Sequence, residues 1–65
     1  MTEDEYASLR EARMRMLMSA KRAYCEGFSA EEWMTNETVV SFAKNNCVDD
    51  ELEHFASYIW GHWNN

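Results

Sequence analysis

Apolar residues recur at helical spacing through most of the chain. Tyr6, Leu9, Met16, Leu17, Ala20, Ala23 and Tyr24 follow the three-, four- and seven-residue steps of one helix face. Met14, Met18 and Cys25 widen that stripe, and Arg13 falls inside it. An arginine so placed either snorkels at the stripe's edge or meets an acid from elsewhere in the chain. Residues 14, 16 and 18 cannot all face one way, since two positions on a helix are about 200° apart, so at least one of these methionines is expected at the surface.

The ends of this first helix are also marked. Thr2-Glu3-Asp4-Glu5 has the form of a capping box, with Thr2 receiving the Glu5 amide. The first-turn acids suit the positive end of the helix dipole, and Lys21 and Arg22 suit the negative end. No proline or glycine interrupts before Gly27, which can take the left-handed conformation that closes a helix. Glu11 and Arg15 stand at the favourable i, i+4 spacing. A helix of roughly 24 residues spans about 36 Å, against a radius of gyration of about 11 Å expected for a domain of this length. One end is therefore expected to project, or a second chain to cover it.

Beyond Gly27 the pattern shortens. Phe28-Ser29-Ala30-Glu31-Glu32-Trp33 predicts a second helix from Ala30, with Ser29 and Glu32 as a capping box and Phe28 stapled to Trp33. Thr35 and Asn36 are poor helix interiors and good caps. A third helix is expected over about Glu37 to Lys44, either separate or as the second half of a bent one, ending at Asn45-Asn46 by the tolerance of asparagine for left-handed backbone. In the last segment, capped by Asp49 or Asp50, Leu52, Phe55, Ala56, Ile59 and Trp63 form a clean amphipathic stripe. Trp60 lies off it, as a rim residue or a contact anchor. The expected core is Leu9, Met16, Leu17, Trp33, Val39, Phe42, Leu52, Phe55 and Ile59.

These elements predict an all-α fold: one domain over residues 1–65, with three or four helices and a long N-terminal helix. Composition agrees, since proline is absent and glycine occurs twice. A chain of 65 residues buries only about 60% of its unfolded surface. Its nine aromatic residues supply large apolar area to offset that limit.

Charge divides the chain. The formal net charge is −6, with −3 over residues 1–7, +4 over 8–25 and −7 over 26–65. Five of the six basic residues (Arg10, Arg13, Arg15, Lys21 and Arg22) sit on the first helix. They either neutralise the acidic remainder within the molecule or leave an acidic surface that steers a basic partner. With no signal peptide and no apolar run of membrane length, the expectation is a cytoplasmic protein without a membrane span. In a reducing compartment Cys25 and Cys47 are expected as free thiols.

No chemistry-bearing motif emerges. Cys25, Cys47, His54 and His62 match none of the paired spacings of zinc sites, so no metal is expected. No nucleophile stands beside an oxyanion-hole element, so no catalytic residue and no cofactor are assigned. Residues 30–46 have the length of a helix-turn-helix, but Lys44, Asn45 and Asn46 are a thin recognition set in an acidic setting. The expected function is that of a non-enzymatic protein-binding module, a small regulator or inhibitor of a larger bacterial protein. Arg13, Met14, Met18, Trp60 and Trp63 are the candidate partner-binding residues, and a homodimer is one expected use of the same surface. Nucleic acid is the less favoured partner. It would be reached through the basic face of the first helix, or imitated by Glu26, Glu31, Glu32, Glu37, Asp49, Asp50, Glu51 and Glu53.

In size, acidity and aromatic density the whole chain resembles the small accessory proteins encoded by bacteriophages and prophages. Ala23-Tyr24-Cys25-Glu26-Gly27-Phe28 and Trp60-Gly61-His62-Trp63 resemble the glycine–aromatic pieces of ribosome modulation factor. That family is basic and binds ribosomal RNA, whereas this chain is acidic, so its function is not carried over.

Overall fold

The computed structural model describes residues 2–61, and the candidate residue Trp63 lies outside them. Within that range the fold is all-α. Helix α1 runs Glu3–Cys25, α2 Ala30–Thr35 and α3 Glu37–Asn45, followed by a 3₁₀ turn at Asp49–Glu51 that leads into α4, Leu52–Ala56. The chain then continues as a π-helix over Ser57–Gly61. The molecule measures 37 × 23 × 17 Å with a radius of gyration of 11.9 Å. Its long axis thus matches the length of α1, against which α2, α3 and α4 pack. Thr2 to Ser8 are all exposed, although Asp4, Glu5 and Ser8 share a shallow depression with Asn45, Asn46 and Cys47.

Local chemistry accounts for most boundaries. Thr2 accepts the Glu5 amide and opens α1. Gly27, at φ 93, closes it with two bonds, Phe28 N–H to the Ala23 carbonyl at 3.0 Å and Gly27 N–H to the Tyr24 carbonyl at 3.1 Å. Both halves of the Ser29/Glu32 capping box form. Asn36, extended at φ −62 and ψ 128, separates α2 from α3 and caps the latter. Its Oδ1 accepts from Thr38 and Val39 at 2.9 and 3.3 Å.

Two expectations are corrected. The left-handed residue after α3 is Cys47, at φ 58, rather than an asparagine. The turn closes one residue late because Val48 must enter the core, where it is fully buried. Its amide bonds the Ala43 carbonyl at 2.9 Å, the same closure that ends α1. Second, neither Asp49 nor Asp50 caps the last segment; Val48 holds that position without a side-chain bond, and both acids lie inside the 3₁₀ turn. Phe28, expected to staple onto Trp33, shares a depression with it and is 48% exposed.

The core is Ala12, Met16, Ala20, Trp33, Ala43, Val48, Phe55, Ala56 and Ile59. Leu9, Leu17, Val39, Phe42 and Leu52 pack against it from partly buried positions. The four alanines allow close helix approach, and the large side chains fill the space between. Full burial of Met16 or Ile59 contributes about 1.5–3 kcal/mol each. The Trp33 indole N–H, which burial would otherwise leave unsatisfied, donates to Ser19 Oγ at 3.1 Å.

Candidate docking surfaces

Met16 turns inward while Met14 and Met18 turn outward, 58% and 67% exposed. Four residues apart, they lie side by side on the solvent face of α1. Arg10, Lys21 and Arg22 flank them on neighbouring turns of that helix. Tyr6, expected in the buried stripe, is 59% exposed, since among the described residues the chain buries nothing before Leu9.

The arginines are largely engaged. Arg13 Nε donates to Glu51 at 2.9 Å, which answers the question its place in the stripe raised. It ties α1 to the 3₁₀ turn and belongs as much to the fold as to any surface. Arg15 pairs with Glu11 at 2.8 Å, and Arg22 with Glu26 at 3.6 Å. The Arg10 side chain makes no hydrogen bond or ion pair among the described residues.

Trp60 is half-buried. Its indole N–H donates to the Phe28 carbonyl at 3.0 Å. Its ring meets Tyr24 at 5.9 Å, inclined by 70°, and Trp33 at 5.8 Å, inclined by 36°. Trp60 therefore joins the end of the chain to the α1–α2 loop, and it is not brought together with Met14 and Met18. With Tyr24, Gly27, Phe28, Ser29, Ala30 and Glu32 it lines an open depression. Sequence assigns Glu32 only to a general acidic surface and assigns Tyr24 and Phe28 to no site. The glycine closure that turns Phe28 outward is legible there, but the return of Trp60 from 32 residues away is not.

Cys25 and Cys47 are both exposed free thiols. Cys47 lies beside Ser8 and Leu9, near the start of α1, and Cys25 ends the same helix. From Leu9 to Cys25 the helix rises about 24 Å, far beyond the span of a disulfide. Among the described residues no cluster of His, Cys, Asp and Glu could hold a metal ion, and no helix is long and apolar enough to cross a membrane.

No family model, curated protein or solved structure matches the chain.

Proposed function

We propose that this chain is a non-enzymatic protein-binding module, a small regulator or inhibitor of a larger bacterial protein, which docks through the solvent face of α1. The observation that carries the reading is the pair Met14 and Met18. They expose most of their surface side by side, although inward positions on the same helix bury Met16 completely. Methionine surfaces adapt to a partner's shape, and two thioethers ringed by charge form a small apolar centre with a polar rim. Intramolecular pairing of Arg13, Arg15 and Arg22 with carboxylates favours a protein over nucleic acid, since each pair offers less to a phosphate.

Affinity capture with the wild-type chain and with Met14→Ser/Met18→Ser tests it. The wild type retains a partner that the double variant loses, while circular dichroism and melting of the two chains coincide. A partner retained equally by both overturns the assignment of this face. Capture of nucleic acid alone, released steeply by salt, overturns the protein-binding reading itself.

A further inference from the structure

A second surface, remote from the methionine pair, has a more specific chemistry. The geometry points to the depression walled by Tyr24, Phe28 and Trp60, with Glu32 at its rim, as a receptor for the guanidinium of an arginine side chain on a basic peptide segment.

Aromatic faces attract cations through the negative potential of the ring, and two inclined walls do so better than one. The Tyr24 and Trp60 rings meet at 70°, and Phe28 adds a third ring that is 48% exposed. The Trp60 wall is fixed before anything binds, because its N–H is held by the Phe28 carbonyl. A ligand therefore spends little entropy ordering it.

Charge selects the ligand. Glu32 gives one carboxylate oxygen to the Ser29 amide at 3.0 Å; its second oxygen has no hydrogen bond among the described residues. The depression lies between the end of α1 and the first turn of α2, so the two helix poles there oppose one another and the selection falls to the side chains. Glu26, Glu31 and Glu32 bracket the α1–α2 loop, with Arg22 paired to Glu26, and this negative balance favours a cation over an anion. Among cations, guanidinium fits best. It is planar, stacks on rings, sheds water more readily than an ammonium, and can donate to the second Glu32 oxygen while it stacks.

The test is titration of the full ¹⁵N-labelled chain with acetyl-Gly-Arg-Gly-amide, followed by NMR. Its citrulline and lysine counterparts serve as controls. The arginine peptide saturates with a dissociation constant on the order of 1 mM, as one stacked and paired side chain can supply. It shifts the Trp60 indole N–H and the amides of Gly27, Phe28 and Ser29. The lysine peptide binds more weakly, and the citrulline peptide, equal in shape but uncharged, does not saturate. Glu32→Gln keeps the capping box, because glutamine serves at that position, and weakens the arginine peptide about tenfold. Tyr24→Leu, with its melting checked, abolishes saturation.

Equal binding of the citrulline peptide overturns the proposal, as does a lysine peptide as tight as the arginine one. Unsaturated shifts spread over all the carboxylates, or unchanged affinity in Tyr24→Leu, also overturn it. None of these outcomes bears on the Met14/Met18 face, which is tested separately.

Discussion

Arg13 and Glu51, 38 positions apart, meet through a single charged hydrogen bond of 2.9 Å between the middle of α1 and the 3₁₀ turn before α4. The Arg13 side chain is 44% exposed and that of Glu51 31%, so water screens the pair and its worth is modest. Replacing Arg13 by alanine is expected to lower stability by about 1 kcal/mol or less. A double-mutant cycle with Glu51→Gln, read by urea denaturation, measures the coupling. A coupling well above that value would mean the pair organises the fold more than its exposure implies.

Both Gly27 and Cys47 close helices in left-handed backbone, at φ 93 and φ 58. A Cβ on Gly27 would meet nothing within 4 Å, so only backbone strain opposes Gly27→Ala. That substitution is expected to cost about 1 kcal/mol, and Cys47→Gly to add roughly as much stability. Opposite shifts of the urea midpoint at constant slope would bear this out. A destabilising Cys47→Gly would show that the thiol makes a contact outweighing its strain.

Trp60→Ala removes three attachments at once: the bond to Phe28 and the ring contacts with Tyr24 and Trp33. A loss of about 2 kcal/mol is expected from a half-buried aromatic of this size. Met14→Ser/Met18→Ser is expected to stay within about 0.5 kcal/mol of wild type, as exposed substitutions do. Thermal melting of both chains separates the residue that holds the fold from those offered to a partner.

Oxidation is expected to join chains rather than to close a ring within one. Cys25 and Cys47 stand at opposite ends of α1, so a mild oxidant gives a non-reducing band at twice the monomer mass. Mass spectrometry of the monomer band would show both thiols free. An internal Cys25–Cys47 link there would require a rearranged fold.

What the sequence makes legible is mostly local. The Thr2 and Ser29 caps, the glycine closure and the inward phase of Met16, Phe55 and Ile59 each depend on residues a turn or two apart, and each stands in the structure. The left-handed Cys47 depends instead on how deep Val48 is drawn, a tertiary demand that overrides the preference of asparagine for that conformation. Counting 3.6 residues per turn places Trp60 on a flank. The half-buried ring sits at the core's edge as a rim residue would, but its partners Tyr24, Phe28 and Trp33 lie too far off in sequence to be read, and the π-helix at Ser57–Gly61 is not legible either. Arg13 was legible as an arginine needing an acid, but Glu51 as that acid was not.

The central claim is that Met14 and Met18 mark a face for another protein. Photo-crosslinking in bacterial cells tests it most directly, with a photoreactive residue at position 18 and, as control, at the exposed Glu37 of α3. The expected result is one discrete heavier adduct from position 18, absent from position 37, containing a second protein identified by mass spectrometry. An adduct of twice the chain's own mass would contradict the claim and make the face a contact between copies. Absence of any adduct from position 18 would contradict it outright.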